Sequence, residues 1–245
     1  MAEMELLDRE CITNLPTSFR VIGIGEATKE IIETVKSYGY DCVSATVLTE
    51  PFECVPTDED KMVIIVAKDN EDHANSIAKT FHDAGVLTLG LLDNADLECY
   101  DGVVVDTSCT EYPDLTKALL QPIATQGMID YDFNDLHTNL ANAKHFFIKS
   151  ATGHGNERVA ESIGFIKSTL TPSLLNKIER LSIFLYFNKE DKQPLVMQDM
   201  TALTDFVSEL PESIYVILAV YPDEIIKEEE IKVTILAAGK ELENG

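Results

Sequence analysis

The chain has 245 residues, 45% of them hydrophobic and 25% charged, enough to bury a core in one large domain or two small ones. No apolar run reaches the length of a bilayer span, and the acidic stretch Met1 to Glu10 lacks the basic-then-apolar plan of a signal peptide, so the sequence points to a cytoplasmic protein without direct membrane insertion. The net charge of -24 is spread along the whole chain and excludes nucleic acid and anionic membrane as default partners, because both are polyanions.

Phe19 to Ile24 is a short apolar run ending in Gly-Ile-Gly, read as a strand. Ala27, Ile31, Ile32 and Val35 then share one helical face, which Gly39 terminates. Asp41 to Val47 reads as a second strand, Pro51 to Asp60 as a polar turn region, and Met62 to Ala67 as a strand apolar enough to be buried on both faces. Ala74, Ile77, Ala78 and Phe81 repeat at helical spacing up to Gly85, and Val86 to Leu92 and Gly102 to Asp106 are two further strands. Such alternation predicts an open parallel sheet with helices on its faces. Pro113 to Thr125 is a helix with proline in its first turn, ended by Gly127. Lys144 to Lys149, Leu181 to Asn188, Ser213 to Tyr221 and Glu230 to Ala238 read as strands, with helices from about Asn156 to Thr169 and from Met197 to Leu210. A second helix-bearing sheet of about four strands, forming a second domain, is the expectation.

The five cysteines, Cys11, Cys42, Cys54, Cys99 and Cys109, form no C-x-x-C pair, and the five histidines show no H-E-x-x-H spacing, so neither a disulfide framework nor a metal site is expected. Cys42 reads as a small core residue. Asp130, Asp132 and Asp135 have the opening rhythm of a calcium loop, but position six would be Asp135 instead of glycine and position twelve Ala141, so that reading fails.

Four segments in order resemble the FtsZ/tubulin family: Arg20 to Gly25 (RVIGIG), Gly127 to Leu136 (GMIDYDFNDL), Ser150 to Glu161 (SATGHGNERVAE) and Glu230 to Gly239 (EIKVTILAAG). The second is similar to the family pattern G-x-x-N-x-D-x-x-D, with Asp132 and Asp135 on the family carboxylates and Asp130 in place of the asparagine. The resemblance implies a Rossmann-type parallel-sheet domain over residues 1–110, a central helix and acidic loop over 111–140, and a smaller α/β domain over 141–245. It also implies that GTP binds the first domain and that the acidic loop of one subunit reaches the next.

The residues qualify those implications. The family's glycine run after the third strand corresponds to Ala67-Lys68-Asp69-Asn70-Glu71-Asp72-His73-Ala74, which contains no glycine and three carboxylates. Phosphate binding needs converging backbone N–H groups with close access, which glycine permits. Carboxylates there suit the helix dipole, and are expected to cap the helix themselves. Gly23 and Gly25 are remnants of the first nucleotide loop, also readable as a tight strand-to-helix turn. Asp114 falls where the family contacts guanine, and equally reads as a helix N-terminal acid. Gly153 and Gly155 read as a tight turn, with Asn156 or the loop before it capping the next helix. The sequence therefore predicts an FtsZ-like interaction or scaffold protein, with no catalytic residues and no cofactor expected, whose partner is itself or an authentic FtsZ. The alternative is a divergent polymerising GTPase that uses GTP. A dinucleotide enzyme is a distant third, because G-I-G-E-A-T lacks the third glycine.

Overall fold

The computed structural model describes residues 18–49, 54–190 and 195–242. Met1 to Glu10, Cys11 and the Pro51 end of the expected turn region lie outside them. Nine strands form one sheet: β1 (Phe19–Ile24), β2 (Val43–Leu48), β3 (Met62–Ala67), β4 (Leu87–Leu91), β5 (Gly102–Val104), β6 (Lys144–His154), β7 (Arg180–Asn188), β8 (Tyr215–Asp223) and β9 (Glu230–Gly239). Their order is β2-β1-β3-β4-β5-β6-β9-β7-β8. The pairings through β6 are all parallel, β9 runs antiparallel to both β6 and β7, and β8 is parallel to β7. Among the described residues the helices are α1 (Lys29–Ser37), α2 (Glu71–Asp83), α3 (Tyr112–Ala124), α4 (Phe133–Leu140), α5 (Arg158–Thr169), α6 (Pro172–Leu175) and α7 (Met197–Glu209).

The expected second sheet is therefore not separate. Its four strands continue the first five through β5 and β6, with Gly102, Val103 and Val104 opposite Lys144, His145 and Phe146. Asp101, almost wholly buried, reinforces this seam. One carboxylate oxygen accepts from the Thr88 amide at 3.0 Å, the other from the Asn142 amide at 3.1 Å, while its carbonyl takes the Lys144 N–H at 2.7 Å. Gly102 lets Phe146 close over the joint, since a Cβ there would stand 3.1 Å from the ring.

The period-two alternation of the strands divides the core. On one face Phe19, Val21, Ile64 and Leu89 join Phe146, Phe184, Tyr221 and Leu236 in a single apolar layer under α1, α3 and α4. On the other face there are two layers. Ile22, Val63 and Ile65 pack on Phe81 of α2, and Phe147, Ile183 and Ile235 pack on Val159 of α5 and Phe206 of α7. One face thus has a continuous core across both halves, which is why the sheet does not break at β5.

Other expectations shift in detail. The strand beginning at Lys144 runs on to His154, so Gly153 lies inside β6, where a Cβ would stand 1.9 Å from the Arg158 carbonyl oxygen. Gly155, at φ 64°, makes the turn alone. Neither Asn156 nor the preceding loop gives α5 a side-chain cap, and Glu157 occupies the cap position. The Glu161 carboxylate of α5 instead accepts from the His154 amide at 2.7 Å. Cys42 precedes β2 and packs half-buried against the continuous core.

Arg158 and Asp199 form a buried ion pair between α5 and α7, with Nη2 3.0 Å from Oδ2, and Asp199 also accepts from the Val196 amide at 3.0 Å. Removing Asp199 takes the paired carboxylate from the buried Arg158 guanidinium, whose desolvation its other contacts then offset only in part. Asp199→Ala is expected to destabilise the fold by about 3–5 kcal/mol, read as a fall in the urea midpoint with the slope unchanged. An unchanged midpoint would show the pair to be energetically idle.

Candidate functional site

In an open α/β sheet, ligands bind in the crevice outside the carboxyl ends of the strands. At the end of β1, Gly23 admits the following helical turn at close range: a Cβ there would lie 2.4 Å from Thr28 Oγ1 and 2.6 Å from Ile32 Cγ1. Gly25 has φ 82°, a conformation that side chains resist, and its carbonyl accepts from Thr28 Oγ1 at 2.8 Å. Both glycines are accounted for by a tight strand-to-helix turn. Gly25 also abuts the next connection, where its Cβ would meet Asn70 Nδ2 at 3.2 Å.

That connection, after β3, does not cap itself as expected. Asn70 occupies the cap position of α2 at φ 61°, with no side-chain hydrogen bond to the helix. Glu71 and Asp72 lie in the first turn, where their charges suit the helix dipole without capping the helix. Glu71 also accepts from Asn94 Nδ2 at 3.3 Å, and Asn75 Oδ1 accepts from the Asp96 amide at 3.1 Å, which straps α2 to the turn after β4. Beyond β4 and β5 a cavity of about 530 Å³ is lined by Asp93, Asp106, Ser108 and Glu111 among others. Lys149 pairs with Asp106 at 2.6 Å, and Glu111 accepts from the Ser108 amide at 2.9 Å. The crevice wall is acidic.

Asp114 is exposed in the first turn of α3, and lines a different cavity, shared with Lys117, Asp223 and Lys232. The structure does not bring it into the acidic cavity with Asp93 and Asp106.

The acidic loop is built from local hydrogen bonds. Asp130 Oδ1 accepts from the Gly127 amide at 2.8 Å. Asp132 is the N-cap of α4, accepting from the amides of Asn134 at 2.7 Å and Asp135 at 3.0 Å, while Asp135 returns the bond to the Asp132 amide at 3.0 Å. This is a reciprocal capping box. Gly127 permits contact with the edge strand, since a Cβ would stand 2.6 Å from the Val220 carbonyl oxygen. Ile129 forms a β-bridge with Val220 of β8, and Met128 and Ile129 expose their apolar side chains. Between them and the helix, Tyr131 turns inward. Its amide donates to Tyr221 Oη at 2.8 Å, and its hydroxyl accepts from Ser182 Oγ at 3.0 Å. Arg180 closes the far end of α4, donating to the carbonyls of Asn139 and Ala141 at 3.1 and 3.0 Å.

Sequence reasoning missed the Tyr131–Tyr221–Ser182 network and the caps from Arg180, because each pairs residues dozens of positions apart. It also missed Lys232, for which a signal existed: a lysine inside the otherwise apolar closing run EIKVTILAAG. Among the described residues, no group of three or more His, Cys, Asp or Glu is placed to hold a metal ion, and no helix is long and apolar enough to cross a membrane.

No family model matches the sequence. The cell division protein FtsZ of Porphyromonas gingivalis is 28% identical over 132 residues, which cover 52% of this chain and 28% of that protein. The match thus spans well under a third of the curated relative's length. Among solved structures, an empty FtsZ dimer from M. jannaschii superposes with a TM-score of 0.71 at 14% identity, covering 91% of this chain and 88% of that one. CetZ2 from Haloferax volcanii, in a GTPγS-bound protofilament, superposes at 0.62 with 11% identity, over 91% and 93% of the two chains. The chain has an FtsZ/tubulin-like α/β fold.

Burial pushes the Tyr221 hydroxyl up to about 12, from an ordinary value of 10.0, and shifts Tyr131 in the same direction. A raised phenol pKa means the unfolded chain ionises first, so the tyrosines' contribution is fully present below pH 10.0 and is lost as pH rises toward 12. Phenolate absorbance is therefore expected to rise together with loss of the circular dichroism signal across that window. Free titration of the tyrosines in a chain that stays folded would contradict this.

Proposed function

We propose that this chain is an FtsZ-like assembly protein that acts by contact with FtsZ-type subunits, a second copy of itself or an authentic FtsZ, and does not bind GTP tightly. The observation that carries the reading is the β3–α2 connection. It holds no glycine, its cap residue Asn70 is left-handed, and Asp69, Glu71 and Asp72 surround the helix N-terminus that would face a phosphate. With Asp93, Asp106 and Glu111 lining the adjoining cavity, a triphosphate would meet several carboxylates there, against Lys68 and the already paired Lys149. The residues present do not fit the nucleotide.

The loop from Gly127 to Asp135 supports the assembly half of the reading. Its carboxylates hold its own backbone in shape, and beside the exposed Asp130 and Asp132 it shows the apolar Met128 and Ile129 to solvent. A loop stiffened by four local hydrogen bonds to its three carboxylates and tipped with exposed apolar residues is suited to docking. That the FtsZ match is a dimer and the CetZ2 match a protofilament is consistent with this. Chains at -24 repel one another, so homotypic contact should tighten as salt rises.

Two experiments test the halves separately. Titration calorimetry with GTP is expected to give a dissociation constant no tighter than about 1 mM; micromolar binding would favour the alternative, a divergent polymerising GTPase. For the loop, sedimentation across a salt series, with and without purified FtsZ, compares the parent with Met128→Glu and with Asp132→Ala/Asp135→Ala. Met128→Glu should fold like the parent and associate at least ~10-fold more weakly, a change of about 1.4 kcal/mol. The double variant should also lose about 1 kcal/mol of stability with its cap. Parental association by Met128→Glu in every condition would remove the loop as an interface and leave only its capping role.

A further inference from the structure

The two edges of the sheet differ. β8 is guarded, because Ile129 bridges Val220 on its outer side and Pro222 lies within the strand. β2, at the other end, pairs with β1 alone among the described residues. The common doubly wound order, 3-2-1-4-5-6, places a further strand outside the second. Here Thr49 to Lys61 carries the chain from β2 straight to β3 on the far side of β1, and one such crossover already takes about a dozen residues. The outer position stands open along VSATVL, a strand with no charge, no proline and no bulge, and with none of its residues buried.

Pairing with β1 fixes the backbone directions of β2. The Cys42 and Leu48 carbonyls accept from the Phe19 and Gly25 amides at 3.2 and 2.8 Å, so the even-numbered residues face β1 and Val43, Ala45 and Val47 turn their backbone groups outward. The Val43 N–H is used by the Tyr40 carbonyl at 3.1 Å. The outward groups of Ala45 and Val47 face no other strand among the described residues. We propose that this edge is an interface for a second copy of the chain, β2 of each copy pairing antiparallel about a twofold axis at Ala45. The strand is its own complement in that register. Ala45 exchanges N–H···O bonds with Ala45 of the second copy, and each Val47 N–H donates to the Val43 carbonyl across the axis. Val43 then stands beside Val47, extending the apolar layer on which both pack, and Ser44 faces Thr46 on the other side of the sheet as a hydroxyl pair. Asp41 falls opposite Thr49, so no two acids meet across the axis of a chain at -24. Such a contact closes on itself as a dimer. It uses nothing from the loop after α3, and stands or falls apart from the contact proposed there.

The test is sedimentation of the full chain across a salt series, in the parent and in Met128→Glu, where the loop contact is weakened. Met128→Glu is expected to form a dimer that tightens as salt rises. Adding Ala45→Pro removes the outward N–H at the axis and leaves the bonds to β1 in place. It should weaken that dimer at least ~10-fold with the circular dichroism unchanged. Ala45→Ser keeps the N–H and should associate as before. Cross-linking reads the register separately. Directly opposed Cα atoms in a hydrogen-bonded antiparallel pair lie about 5.5 Å apart, within reach of a disulfide. Ala45→Cys should therefore give a disulfide-linked dimer on mild oxidation, mapped by peptide mass spectrometry to the two introduced thiols, and Asp41→Cys should not. A monomer in every salt condition overturns the proposal, as does a dimer undiminished by a folded Ala45→Pro. Thiols at position 41 that cross-link as readily as those at 45 overturn the register. Should Ala45→Pro fail to fold, the absence of the Ala45→Cys disulfide overturns the proposal alone.

Discussion

One hydroxyl group holds the two halves of this molecule in register. Tyr221 Oη donates to the Pro122 carbonyl at 3.0 Å and accepts from the Tyr131 amide at 2.8 Å, in a position closed to solvent. The last turn of a helix has carbonyls with no partner inside the helix, and a buried one left unbonded costs about 1–3 kcal/mol. Tyr221 satisfies such a carbonyl in α3, and with the same atom fixes the start of the acidic loop against β8. The ring beneath stacks on Tyr186, and Tyr186 lies 6.5 Å from Phe184, centre to centre. The helix crossing the sheet, the loop that follows it and the edge strand thereby become one rigid unit. Asp132 then starts α4 from that fixed point.

The seam at β5 and β6 has the same logic on the sheet itself. A three-residue parallel pairing is short, and parallel ladders are slightly the weaker kind. Asp101 compensates by presenting a buried carboxylate to amides on both sides of the joint, and the unbroken apolar layer beneath α1, α3 and α4 resists separation. Carboxylates serve the fold in this way throughout. Asp132 caps, Glu71 straps, Asp101 bridges and Asp199 pairs. Acids that stabilise helix starts and turns leave those N-termini poorly disposed toward a phosphate. The chemistry of the crevice and the charge of -24 are two sides of one design.

Much of the fold was legible because its signals are local. The apolar run MVIIVA became a strand buried on both faces, and the 3.6-residue spacing of Ala74, Ile77, Ala78 and Phe81 became the buried stripe of α2. Of the candidate site, the sequence located the acidic loop, and the structure shows Asp132 and Asp135 capping α4 while Asp130 ties down Gly127. It misjudged α2, whose acids act through the dipole without capping, and α5, whose start is held by Glu161 reaching back to His154. Both errors have one cause. A side chain's reach depends on the backbone at the cap residue, which is left-handed at Asn70 (φ 61°) and at φ -110° at Glu157, and neither residue makes a side-chain cap bond.

By itself, then, the sequence determined the order and type of the strands and of the helices α1, α2, α3, α5 and α7 but not of α4 and α6, the absence of glycine at the β3–α2 connection, and the residues of the loop after α3, because each follows from periodicity and residue chemistry within a dozen positions. Only the tertiary structure decided that the nine described strands make one sheet, that Asp114 faces a cavity apart from Asp93 and Asp106, and that Lys232 stands over the Tyr186 ring. Those facts rest on contacts between residues far apart in the chain. Closing such contacts depends on the free energy of burying a common apolar face, and no local pattern carries that information.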